Sequence, residues 1–86
     1  MKPILFYPAA FKDYVDWGRL NKKNFDKINE LIIDITRQPF KGLGKPEPLK
    51  GNWKGYWSRR ITDEHRLIYK LQNDMIIIVS CHGHYS

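Results

Sequence analysis

Eighty-six residues, 42% of them hydrophobic and 14% aromatic, suffice for one folded domain spanning 1–86 and argue against a disordered or low-complexity chain. Fifteen Lys and Arg against nine Asp and Glu leave a net charge of +6, which favours a polyanionic partner, nucleic acid or an acidic protein, without choosing between them. The apolar runs are too short to cross a bilayer, the opening MKPILFYPAA lacks a full signal-peptide core, and the single Cys81 cannot close an internal disulfide, so the expectation is a cytoplasmic protein in a reducing compartment.

The run PILFY at 3–7 suits a short buried strand that Pro8 stops or redirects. Phe11, Tyr14, Val15 and Trp17 then recur at helical spacing, with Gly18 weakening the pattern. A second helix is clearer: Asn21 can cap it, Phe25, Ile28, Leu31, Ile32 and Ile35 form one apolar stripe, and Pro39 closes it. The stretch PFKGLGKPEPLKGN reads as a loop. WKGYWSRRI, HRLIYKL and MIIIVSC read as three strands, the first two joined near Thr62 and Asp63 and the last two by a tight turn at QND. Short links make sequential strands antiparallel neighbours. The expected architecture is therefore α+β in the order β-α-α-β-β-β, two N-terminal helices packed on a small, mainly antiparallel twisted sheet.

Strand alternation decides which side chains share a face. Leu67, Tyr69 and Leu71 take the core side, sending Arg66, Ile68 and Lys70 to the other. In the preceding run Trp53, Trp57 and Ile61 are core candidates, while Tyr56, Ser58 and Arg60 face the opposite way, so Arg60 stands near Arg66. In the last run Ser80, His82 and His84 group together, opposite Val79, Cys81, Gly83 and Tyr85, with Gly83 able to bend the chain and spoil the count. Glu47 is the only carboxylate between Asp34 and Asp63, in a stretch rich in Lys and Arg that keeps it ionised, and the prolines of KPEP restrict its backbone.

A carboxylate base, an arginine and a histidine acid are the groups that cleavage of RNA through its own 2′-hydroxyl requires. Glu47 would take the 2′-hydroxyl proton, a histidine would protonate the departing 5′-oxygen, and arginine would stabilise the phosphoryl oxygens. Tyr85 could stack on a base or orient the phosphate, and the basic residues would hold the RNA backbone. No cofactor or metal is called for.

The segments GKPEPLKGN and GYWSRRITDEHRLIYKL and the terminal His-Tyr pair resemble the YoeB-type toxins of the RelE superfamily, and the resemblance covers nearly the whole chain. It implies a RelE-like fold and an mRNA interferase that cuts messenger RNA at the ribosomal A site. It also implies neutralisation by a cognate YefM-type antitoxin and a tendency to homodimerise. Carried over by position, Glu47 is the general base, His84 the general acid, Arg66 the phosphate stabiliser and Tyr85 a substrate-positioning residue, and Lys50 and Arg60 match basic positions of the family; with Lys45 and Arg59 they make the expected RNA-binding set. The tail departs from the family: His82 and Gly83 replace an arginine and an aromatic residue, and Ser86 follows the tyrosine. That difference bears on cleavage rate or codon preference rather than on reaction type.

Two other readings compete. A ParE-like toxin acting on gyrase shares the architecture but needs no base-and-acid pair, and a plain RNA-binding module could use basic and aromatic residues without cutting. Cys81, His82 and His84 could offer metal ligands, but alternation separates the cysteine from the histidines. Cys81 as a nucleophile is disfavoured by its apolar strand.

Overall fold

The computed structural model describes residues 1–83, so the expectations placed on His84 and Tyr85 lie outside the described residues. The elements in chain order are strand β1 (Ile4–Phe6), helices α1 (Pro8–Leu20) and α2 (Lys22–Arg37), strand β2 (Glu47–Pro48), a 3-10 turn (Gly51–Trp53), and strands β3 (Trp57–Arg60), β4 (Arg66–Gln72) and β5 (Met75–Ser80). They form a five-stranded sheet in the order β1-β5-β4-β3-β2. The expected α+β architecture is borne out, with two additions. A short β2 extends the sheet from within the segment read as a loop, and β1 lies parallel to β5 while the other pairings are antiparallel.

Local chemistry explains the boundaries. Pro8 does not end a run so much as begin α1, where its fixed φ is already helical and its missing N–H costs nothing. Asn21 ends α1 and starts α2. Its side chain accepts a hydrogen bond from the Asn24 N–H at 3.1 Å, as expected of a cap, while its own N–H donates to the Trp17 carbonyl. Helix α1 continues through Gly18, where an added Cβ would come within 3.2 Å of the Phe25 ring, so the glycine permits the two helices to close on each other. Asn73 and Asp74 both adopt positive φ, 52° and 60°, which gives the β4–β5 link the twist a two-residue hairpin needs.

The core lies between the helices and one face of the sheet. Ile28, Leu31, Ile32 and Ile35 of α2 pack with Ala10, Ile61, Leu67, Tyr69, Ile76, Ile78 and Cys81. Leu49, Ile68 and Ile77 are also buried, outside that cluster. Trp53 departs from its expected place as an inward strand residue. It sits half-buried in the 3-10 turn because Gly55, at φ 96°, breaks the extended run before β3 begins.

Arg59 belongs to the core side and is completely buried. Its five N–H donors meet five acceptors. Nε donates to the Tyr69 hydroxyl at 3.1 Å, Nη1 to Asp34 Oδ2 at 2.6 Å and the Leu43 carbonyl at 3.2 Å, and Nη2 to the Gln38 and Lys41 carbonyls at 2.6 and 2.8 Å. Tyr69, its phenol pushed up by burial and so kept protonated, donates in turn to the Pro39 carbonyl at 2.6 Å. Burial opposes ionisation of Asp34, yet hydrogen bonds from the Leu43 N–H, Gln38 and Arg59 outweigh it and hold that carboxyl below the usual range. One guanidinium thus gathers the chain from 38 to 43 into a fixed shape.

Replacing Arg59 by Met keeps the side-chain length but takes the cationic partner from a half-buried carboxylate and the donors from three carbonyls. Urea unfolding is expected to show a loss of about 3–5 kcal/mol. Because the Asp34 carboxyl titrates lower in the folded chain, its contribution is complete above the ordinary carboxylate pKa of about 3.9 and is lost as pH falls through the folded value. The stability difference between wild type and Asp34→Asn should therefore be largest near neutrality and shrink below about pH 4.

Candidate active site on the open face of the sheet

The loop held by Arg59 delivers Glu47. Gly44, at φ 76°, turns the chain where a Cβ would lie 2.7 Å from Leu31 Cδ2 and 3.1 Å from the Arg60 carbonyl, and its own carbonyl accepts from the Arg60 N–H at 2.7 Å. Lys45 follows at φ 52°, an uncommon conformation for a residue with a side chain. The chain then enters β2, where Glu47 pairs with Ser58 and Pro48 with Trp57. Glu47 is exposed and, among the described residues, joins none of the ion pairs. Among the described residues no lysine lies close enough to Glu47 to form an ion pair with it.

Register carries Glu47 across the sheet. Glu47, Ser58, Ile68 and Ser80 form one lateral row over β2, β3, β4 and β5, and residues paired in this way project to the same face. Arg60 and Arg66 are partners in the neighbouring row, two residues along, and therefore share that face. From Glu47 to Arg66 the backbone separation is about 10 Å sideways and about 7 Å along the strands, a span that the two side chains can close around a small group. Two arginines directly opposite each other repel, so an anion between them would be welcome.

Arg66 is half-buried and folds its Nη1 over the β3–β4 turn, donating to the Thr62 carbonyl at 2.6 Å and the Asp63 carbonyl at 2.9 Å. It has no carboxylate partner among the described residues. Main-chain carbonyls orient the guanidinium and leave its charge uncompensated. The last described residue, Gly83, is bonded to the same place, its carbonyl accepting from the Arg66 N–H at 3.0 Å. The described chain therefore ends beside the Arg66 backbone.

The other expected positions divide. Lys45, Lys50 and Arg60 are exposed and can meet a polyanion. Arg59 cannot, because it is buried with every donor used inside the protein, and it is withdrawn from the RNA-binding set. The same alternation that places Trp57 and Ile61 inward also places Arg59 inward, a signal that its charge obscures. Sequence reading overlooked Tyr7. Lys70, on the open face, has its Nζ 3.4 Å from the Tyr56 hydroxyl, 5.0 Å from the Tyr56 ring centre and 6.0 Å from that of Tyr7. The two hydroxyls hold its ammonium above the ordinary range, giving a cation framed by aromatic faces.

His82 does not keep the place beside Ser80 that alternation gave it. The extra residue at Val79 leaves Ser80 opposite Ile68, but β5 ends at Ser80 and the chain turns at Gly83 with positive φ, so strand alternation does not extend to His82. The His82 ring instead lies against Trp17 and His65, with centroids 5.8 and 4.7 Å away. Cys81 points into the core, where its thiol donates to the Ala10 carbonyl at 3.5 Å and burial pushes it up to about 12. It is a packed thiol, turned away from both the arginine face and His82.

An open, basic sheet face with a positioned carboxylate, backed by two helices, is the frame of a RelE-type toxin. Residues 6–85 match the family described as the YoeB-like toxin of bacterial type II toxin-antitoxin systems. Toxin YoeB of Streptomyces coelicolor is 54% identical over 82 residues, 95% of this chain and 98% of the relative. A YoeB–YefM complex from Staphylococcus aureus superposes with a TM-score of 0.90 at 49% identity over 99% of each chain, and a YoeB dimer from the same organism does so with 0.90 at 48% over 98% of each. The chain belongs to the YoeB-like toxins.

A thiol this deeply buried and this reluctant to ionise should not react in the native protein. Titration with an aromatic disulfide reagent at pH 8 is expected to release almost no chromophore until denaturant is added, and then one equivalent. Rapid native labelling would contradict the burial of Cys81.

Proposed function

We propose that this toxin is a metal-independent endoribonuclease that cuts messenger RNA presented at the ribosomal A site. The observation that carries the reading is the pairing that sets Glu47 and Arg66 on one open face, with Gly83 bonded to Arg66. Glu47, the general base, takes the proton of a ribose 2′-hydroxyl, and the 2′-oxygen bonds to the adjacent phosphorus. The bond from phosphorus to the 5′-oxygen breaks as His84, the general acid, gives that oxygen a proton. Arg66 stabilises the charge on the non-bridging oxygens through the transfer. The products are a 2′,3′-cyclic phosphate and a 5′-hydroxyl. Tyr85 positions the substrate, and Lys45, Lys50 and Arg60 neutralise flanking phosphates.

The likeness to the Staphylococcus aureus assemblies supports a YefM-type antitoxin and a homodimer as partners. Among the described residues no helix is long and apolar enough to cross a membrane. Glu47 has no ion pair among the described residues to lose, which favours a chemical over a structural role for it.

On translated mRNA in EDTA, wild type is expected to cut and leave cyclic or 3′-phosphate and 5′-hydroxyl ends. Glu47→Ala and Arg66→Ala should each slow cutting by about a hundredfold or more while RNA affinity changes little for Glu47→Ala. Cutting abolished by EDTA would reject the metal-free mechanism, and binding without cutting would favour the RNA-binding module. DNA damage that depends on gyrase, with intact RNA, would favour the ParE-like reading.

A further inference from the structure

Beyond β5 the chain is fastened at three consecutive points. Trp17 Nε1 donates to the Cys81 carbonyl at 2.7 Å, the Gly83 N–H donates to His65 Nδ1 at 2.8 Å, and the Gly83 carbonyl accepts from the Arg66 N–H. His65 is half-buried, edge-on to the Trp17 indole at 5.0 Å and against the His82 ring. Its backbone is fixed as well, since its N–H donates to Thr62 Oγ1 at 3.0 Å and its carbonyl accepts from the Ile61 N–H at 2.9 Å. An imidazole that accepts at Nδ1 carries its proton on Nε2, which faces Glu64 Oε1 at 3.7 Å. At Gly83 the backbone turns at φ 71°, and no described residue comes within 4 Å of where a Cβ would sit, so among the described residues the glycine serves the turn.

A ring nitrogen accepting from a main-chain amide 18 residues away is an expensive way to hold a surface tail, but an economical way to aim one. We infer that His65 is a positioning residue: its Nδ1, with Trp17 behind it, locks Gly83 onto Arg66 and so holds the main chain that immediately precedes the proposed general acid. This rests on the ribonuclease reading above. His65 itself touches no substrate. It acts through the peptide that precedes the general acid, and a misplacement there of about 1 Å can cost as much as a hundredfold in rate.

The test uses the full-length toxin with His65→Ala, His65→Asn and His65→Gln. An Asn side chain offers an oxygen close to where Nδ1 stood, whereas Gln offers one nearer to Nε2. Three readouts are taken: hydrogen exchange of the Gly83 amide by NMR, single-turnover cleavage of RNA on the ribosome, and RNA affinity. His65→Ala and His65→Gln are expected to lose about tenfold or more of both Gly83 protection and cleavage rate with affinity unchanged, and His65→Asn to recover most of both. Should His65→Ala fail to fold, the contrast of Asn with Gln decides the matter. Gly83 exchange indifferent to all three substitutions overturns the clasp, and so does a His65→Asn variant as slow as His65→Gln. A wild type that protects Gly83 yet cuts no RNA overturns the ribonuclease reading and the catalytic half of this inference, while leaving the clasp standing.

Discussion

A single buried guanidinium holds the working face of this protein in shape. Arg59 is enclosed between α2, β4 and the loop after α2, and it exchanges all its water contacts for one carboxylate, one phenol and three carbonyls. Burying a charge is tolerable only when pairing and hydrogen bonding are this complete. What the interaction fixes is a loop whose own residues supply little apolar burial: Phe40, Lys41, Gly42 and Leu43 are exposed. That loop leads directly into β2, so the position of Glu47 depends on an arginine inside the protein that never meets a ligand.

The site follows from two supports at its opposite ends. On one side Arg59 and Gly44 set the approach to Glu47, and on the other Trp17, His65 and the Arg66 N–H tie down residues 81 to 83. Between them the sheet supplies the ruler. Its hydrogen-bonded register sets the distance from Glu47 to Arg66 more rigidly than a cluster of loops would, and it forces Arg60 and Arg66 together despite their repulsion. On the proposed function, a phosphate bound between the two arginines would offset that repulsion.

Much of the fold was legible because its signals are local. The α2 stripe and its Asn21 cap, the turn at Asn73 and Asp74, and the inward set Leu67, Tyr69 and Ile61 all follow from periodicity and turn chemistry. Strand β2 was not legible, since two residues flanked by proline show no alternation and exist as a strand only by pairing with β3. Likewise the parallel partnership of β1 with β5 joins distant parts of the chain. Arg59 was misplaced because charge is ordinarily read as surface, and His82 because β5 ends at Ser80 and the chain turns at Gly83, where strand alternation no longer applies. Glu47 and Arg66 were singled out by residue chemistry and family resemblance together, while their shared face depends on β2 and is visible only in the register of the folded sheet.

The central claim, that one phosphodiester lies between Glu47 and Arg66, is tested most directly by a crystal structure of the toxin with a short RNA blocked by a single 2′-O-methyl group at the cleavage position. The account predicts the adjacent phosphate against the Arg66 guanidinium, with the Glu47 carboxylate within about 3–4 Å of the blocked 2′-oxygen. An RNA seated on the helical side, or a 2′-oxygen pointing away from Glu47, would contradict it.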